Sequence, residues 1–136
     1  MEALVESLSG LAGFALYFVL SLLALIIFKT IYSKITPHKE WQLVKENNVA
    51  AACGFAGSIL GYSIAIAGAA SNSVSPLDFI LWAVVALVAQ LVAFGLLRLF
   101  MPKISQRIQD NEIAAGIMLG GYSIAIGVIN AACMSY

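Results

Sequence analysis

Residues 47–77 read NNVAAACGFAGSILGYSIAIAGAASNSVSPL, a stretch without one charged side chain. A bilayer core about 30 Å thick takes roughly 20 apolar residues of helix at 1.5 Å each, so this run exceeds one crossing. Its Ser71-Asn72-Ser73-Val74-Ser75-Pro76 segment has turn composition, which predicts a helix over about Val49 to Ala70 followed by an exposed turn. Three further charge-free runs, Ser7 to Phe28, Phe79 to Leu97 and Ile113 to Tyr136, have the length of one crossing each. In hydrocarbon the backbone must satisfy its own hydrogen bonds, so all four are expected to be helical. Composition agrees: 62% of the 136 residues are hydrophobic and 10% charged, where a soluble domain carries about 25% charged residues. The predicted class is an all-α membrane protein of four transmembrane helices forming a single transmembrane domain over residues 1–136.

The same stretch discloses an internal repeat. Gly-Tyr-Ser-Ile-Ala-Ile occurs at Gly61 to Ile66 and again at Gly121 to Ile126. Upstream, Asn47-Asn48-Val49-Ala50-Ala51 parallels Asn111-Glu112-Ile113-Ala114-Ala115, and Lys34-Ile35-Thr36 parallels Lys103-Ile104-Ser105. The expected organisation is two tandem two-helix repeats, about 9–70 and about 78–136, that differ mainly by deletions of about one helical turn. An even number of crossings per repeat makes the duplication parallel, with its axis along the membrane normal. Pro37 and Pro102 read as first-turn prolines of short interfacial helices in the two equivalent loops, with Trp41 and Val44 on one and Ile104 and Ile108 on the other.

Charge placement sets an expected orientation. Lys29, Lys34, Lys39 and Lys45, with His38, surround the first connection, and Arg98, Lys103 and Arg107 the third. The amino end carries Glu2 and Glu6 and the second connection Asp78. By the positive-inside rule the basic loops are cytoplasmic and both termini lie outside, with Trp41 and Trp82 in the aromatic belts. The amino end lacks a basic n-region and a clear cleavage site, so the first helix is expected to be retained. Cys53 and Cys133 lie near opposite ends of their helices, too far apart to pair within one chain. They read as small buried thiols, with an intermolecular bridge through Cys133 as the alternative.

The second and fourth helices are dense in small residues. Gly57 and Gly61 form one pair at four-residue spacing, Gly116 and Gly120 another, and Gly121 with Ala125 a third. Such pairs let backbones approach where lipid removes the hydrophobic drive. These two helices are therefore expected at the centre, with the Leu-rich first and third outside. Their glycine faces are candidates for packing, for self-association into a homo-oligomer, or for lining a passage. Ser21, Gln90 and Asn130 are the candidate cavity residues, with a Gln90 to Ser21 hydrogen bond as the plainer use. Asn48 and Asn111 are expected to cap the second and fourth helices. With Lys34, Lys103 and Arg107 they also form a candidate site for anionic headgroups or another anion, since helix amino ends attract negative charge.

Catalytic patterns are weak. Ser63 and Ser123 sit inside helices rather than at a strand-to-helix turn, and the single histidine, His38, is in a loop. No acidic pair lies within the spans, and no Cys or His cluster has metal-ligand spacing. The expectation is no enzyme activity, no cofactor and no nucleic-acid partner. Membrane lipids, a second copy and an unidentified protein remain as partners.

Ile31-Tyr32-Ser33-Lys34-Ile35-Thr36-Pro37-His38 followed by Glu40-Trp41-Gln42-Leu43 resembles the first-loop signature of the bacterial YjfL-like inner-membrane family, UPF0719-like and classified as domain of unknown function 350. Asn47 with the alanines after it, Ala114-Ala115-Gly116 and Asn130-Ala131-Ala132-Cys133-Met134 are similar to that family as well. The resemblance implies a duplicated unit in the inner membrane of a Gram-negative bacterium, and supplies no substrate or catalytic residue. Two functions fit the residues: a scaffold or partner subunit working by homo-oligomeric assembly, or a small oligomeric channel or carrier.

Overall fold

A computed structural model describes residues 1–36 and 39–134. Six helices follow in order: α1 Glu2–Ile35, α2 Glu40–Lys45, α3 Val49–Asn72, α4 Pro76–Phe100, α5 Ile104–Gln109 and α6 Ile113–Cys133. The four long ones, α1, α3, α4 and α6, are each long and apolar enough to cross a membrane. Pro37 and His38 lie outside the described residues, as do Ser135 and Tyr136 at the end of the fourth predicted span.

The centre is the parallel pair α3 and α6. A Cβ on Gly57 would collide with the Gly120 backbone, one on Gly116 with the Ala50 carbonyl, one on Gly120 with the Cys53 carbonyl, and one on Gly61 with the Ser123 carbonyl. Gly127 meets the Gly61 carbonyl in the same way. Both helices contribute bare backbone, so the axes approach more closely than any larger side chain permits. The glycine pairs read from sequence are therefore engaged within one chain. Gly121 is the exception, exposed and with open space where a Cβ would project. The hexapeptide repeat thus puts Gly61 and Gly121 in different environments, and Gly127 joins the contact in place of Gly121.

Around this pair α4 packs on both α3 and α6, and α1 runs parallel to α4 at the edge. Aromatic rings hold α1 there. Phe28 stacks on Tyr62 of α3 at 4.4 Å between centroids, and Tyr32 meets Phe94 of α4 edge-on at 5.9 Å. Farther along, Tyr17 meets Phe79 at 5.6 Å. Phe28 and Tyr32 are the buried residues of α1, and residues 1–16 are exposed throughout. At 1.5 Å per residue the helix is about 51 Å long, well beyond one hydrocarbon core.

The connections between α1 and α3 and between α4 and α6 share one end of the bundle. Each contains a six-residue helix that closes in the same way. In α2, Asn47 takes φ 65°, its N–H bonds Val44 O at 3.0 Å, and Asn48 N–H bonds Leu43 O at 2.9 Å. In α5, Asn111 takes φ 58°, its N–H bonds Ile108 O at 3.0 Å, and Glu112 N–H bonds Arg107 O at 2.9 Å. This double bond about a left-handed residue is the Schellman ending, and asparagine is the residue besides glycine that tolerates it. Pro102 precedes α5 by two positions, outside its first turn. Ile104 and Ile108 are fully buried against the bundle, while Trp41 of α2 is 44% exposed. The opposite turn closes with a reciprocal cap: Ser75 Oγ accepts from Asp78 N–H at 3.1 Å, and Asp78 Oδ2 accepts from Val74 N–H at 3.0 Å.

Gly57→Leu and Gly120→Leu are expected to destabilise the fold by ~1–3 kcal/mol or more, since neither opposing backbone has room to give. Gly121→Leu is expected to stay within about 0.5 kcal/mol of the parent. Thermal unfolding of the three purified variants in one detergent tests this. Equal melting temperatures would remove the close α3–α6 contact from the account.

Candidate functional site in the bundle interior

Where α3, α4 and α6 meet, four polar side chains gather among apolar ones. Ser58 Oγ lies 2.9 Å from the Tyr32 hydroxyl, 3.0 Å from Gly54 O and 3.2 Å from Ser123 Oγ. Gln90 Nε2 donates to Ser123 O at 3.0 Å. Ser58, Ser123, Gln90 and Tyr32 are all at most 2% exposed. Counting helical rise from their starts, Ser58 and Ser123 are about 14–15 Å into α3 and α6, near mid-membrane depth. Gly61 makes the geometry feasible, because a Cβ there would also press on the Gln90 amide, 3.0 Å away. Gln90 Oε1 is buried with no hydrogen-bond partner. An acceptor left so in an apolar interior carries a desolvation cost of about 1–3 kcal/mol.

This array changes the reading of several candidates. Gln90 bonds Ser123 rather than Ser21, because α4 turns this face toward α3 and α6. Ser21 lines an open crevice with Gly10, Gly13, Tyr17 and Ala70, near the far end of α3. Asn130 is half-buried in α6, its Nδ2 without a hydrogen-bond partner among the described residues. The three cavity candidates are therefore not brought together. Ser63 bonds its own helix at Ile59 O, 2.7 Å away, whereas its sequence counterpart Ser123 belongs to the array. Tyr32 and Ser58 carried no polar role in the sequence reading. Helical spacing on a small-residue face gives no cue that a hydroxyl meets a tyrosine from another helix.

Asn48 and Asn111 have defined structural work at the basic end. Asn48 caps α3, its Oδ1 accepting from Ala51 N–H at 2.8 Å, while its Nδ2 donates to Ile108 O at 2.9 Å. Asn111 caps α3 rather than α6: its Oδ1 accepts from Ala50 N–H at 3.1 Å, and Glu112 holds the cap position of α6. The reason is the left-handed turn at Asn111, which ends α5 and directs the side chain across to the neighbouring helix. Two donors at the α3 start are thus already satisfied within the chain. Arg107 pairs with Glu112 at 3.2 Å, and Lys34 and Lys103 are exposed. A preformed anion site on the two helix starts does not follow from this geometry.

Glu40 is the feature that the sequence reading missed. It lies in the first turn of α2 yet is 1% exposed, hydrogen-bonded to the Thr36 hydroxyl at the end of α1. Burial raises its pKa to about 7, against the opposing pull of hydrogen bonds from Thr36 and its own backbone. Beside it Trp41 meets Phe55 of α3 edge-on at 5.4 Å, and the Lys29 ammonium sits 4.7 Å above the indole. Among the described residues no group of three His, Cys, Asp or Glu side chains is arranged to hold a metal ion.

The family model described as Domain of Unknown Function (DUF350) matches residues 6–134. The chain belongs to this family. It is similar to the UPF0719 inner membrane protein YjfL of Escherichia coli (strain K12), 47% identical over 129 residues that cover 95% of this chain and 98% of the relative. It is also similar to the UPF0719 transmembrane protein YshE of Bacillus subtilis (strain 168), 28% identical over 124 residues, 90% of this chain and 92% of the relative. No solved structure matches the chain. This member of the DUF350 family is thus an integral membrane protein, and the names of its relatives specify no substrate or reaction.

Asn48→Ala removes a cap and the side-chain amide's bonds to Ile108 O and Gln109 O, so a loss of ~1–3 kcal/mol is expected. Lys34→Ala is expected to cost at most about 0.5 kcal/mol. Unfolding curves of the two variants provide the comparison, and similar losses in both would refute the assigned roles.

Proposed function

We propose that this chain is an inner-membrane subunit that acts by homo-oligomeric assembly, as a scaffold or as the membrane partner of another protein, and that α1 makes the intermolecular contact. The supporting observation is the outer half of α1. Residues 1–16 are exposed throughout, Leu4, Leu8, Leu11 and Phe14 among them, and among the described residues nothing lies within 4 Å of a Cβ placed on Gly10 or Gly13. Apart from Gly121, the glycines of α3 and α6 are engaged between those two helices, so α1 carries a small-residue surface still open to a neighbouring helix.

The duplicated organisation belongs to the same reading. One spacing separates Asn47 from Asn111, α2 from α5 and the start of α3 from that of α6, and both left-handed turns close in the same hydrogen-bond pattern. With the basic connections cytoplasmic, the termini and the free half of α1 lie on the outer side. Cations of the basic loops then face anionic headgroups.

The second reading, an oligomeric channel or carrier, draws on the buried array and the open acceptor of Gln90. Against a route within one chain stand the close α3–α6 contact and the 1% exposure of Gln90.

Disulfide crosslinking in native membranes tests the assembly reading in a Cys53→Ser, Cys133→Ser background. Gly13→Cys is expected to give an oxidised dimer, and Gly57→Cys to stay monomeric. A monomer in both would overturn the role of α1. Solute flux in liposomes that disappears in Gln90→Leu while crosslinking persists would favour the channel.

A further inference from the structure

α1 meets α4 through aromatic rings at two levels. Tyr17 lies against Phe79 at 5.6 Å between centroids near the start of α4, and Tyr32 against Phe94 at 5.9 Å near its end. The rings set the spacing of the two helices. Between these levels Ala24 and Ala83 face the gap, and their methyl groups are too short to close it. A groove of about 230 Å³ remains along the α1–α4 seam. Its floor is formed by Phe79, Ala83 and the Tyr62 ring from α3, each at most 6% exposed, and Leu23 and Val84 stand on its rims, 50% and 52% exposed. Phe28 stacks on Tyr62 at 4.4 Å and holds that ring in place.

Depth, chemistry and size decide what can enter. The lining runs along α4 from Phe79 to Leu87, about 12 Å at 1.5 Å per residue, inside the crossing and in the half away from the basic connections. Among the described lining residues Tyr62 alone has a polar side chain, and its hydroxyl donates to Ala83 O at 3.0 Å. The groove therefore offers contact surface and no hydrogen bond. A polar solute would give up its own hydrogen bonds on entering, and water is not held by an apolar lining. A 12 Å length of helix, 10–12 Å across, fills roughly 900–1,400 Å³, about four times the space present or more. A single hydrocarbon chain is thin enough and needs no polar partner.

We propose that the α1–α4 groove is a binding site for one acyl chain of a membrane lipid, entered sideways from the hydrocarbon, with methylenes lying against the Tyr62 ring. The bound chain fills the space that the two alanines leave and holds α1 to α4 by dispersion contacts with both. The site reads the chain and not the headgroup, which distinguishes it from lipid held by cations at the basic end. It lies within one chain, uses α1 from Leu20 onward rather than residues 1–16, and does not depend on the assembly reading.

The test is photolabelling of the full chain in phosphatidylcholine liposomes doped with a phosphatidylcholine whose acyl chain carries a mid-chain diazirine, with labelled residues mapped by peptide mass spectrometry. The expected result is label on Tyr62, which at 2% exposure is out of reach of chains that only surround the bundle. Ile117 of α6, 58% exposed, reports those surrounding chains. Ala24→Leu fills the groove from within, and Val84→Trp closes its mouth from an exposed position that the fold does not depend on. Each is expected to lose the Tyr62 label and to keep the one on Ile117. Phosphatidylglycerol bearing the same diazirine chain is expected to label Tyr62 to the same extent. Tyr62 unlabelled in the parent, label persisting there in both variants, or label from phosphatidylglycerol alone would overturn the site.

Discussion

Backbone-to-backbone contact between α3 and α6 is the constraint on which the remaining structure depends. Lipid chains are as apolar as leucine, so burying leucine against leucine gains little in a bilayer and association rests on close fit and interhelical polar contacts. Gly57, Gly61, Gly116, Gly120 and Gly127 supply that fit, each facing a carbonyl or an α-carbon of the other helix. Once the two axes are this close, Ser58 and Ser123 come within hydrogen-bonding distance, and Gln90 reaches the Ser123 carbonyl across Gly61. The polar array is a consequence of the glycine contact.

The two ends of the bundle answer different demands. At the basic end, where two connections meet, asparagines terminate the short helices in left-handed turns, and Asn48 and Asn111 both cap α3. Unpaired donors and acceptors there are largely satisfied by side chains of the chain itself. Toward the opposite end α1 separates from the other helices and leaves its apolar surface free. A bundle fastened at one end and open at the other permits movement or partnership at the open end without disturbing the central pair. Glu40 adds a buried carboxyl, bonded to the Thr36 hydroxyl, to the fastened end.

The crossings, the small-residue helices and the family were legible in the chain, for reasons that act locally. Charge-free length determines what can span a bilayer, and glycine at four-residue spacing determines which face can pack closely. Asn47 and Asn111 were visible as equivalent positions, though their left-handed conformation was not. Their use depends on a six-residue helix stopping two residues earlier. Gly61 and Gly121 open the same hexapeptide and have different surroundings, Gly61 against the Ser123 carbonyl and Gly121 in open space.

Sequence by itself determined the solvent of this protein, the number of its long helices and the residues available for close packing, since hydrophobic length and side-chain size are properties of single segments. Tertiary structure alone decided that the glycines face each other within one chain, that Gln90 bonds Ser123 rather than Ser21, that Asn111 caps a helix from the other half, and that Glu40 is buried. Each of these turns on the rotation of one helix about its axis against another. That rotation follows from the sum of contacts along whole helices and leaves no mark on any short stretch of sequence.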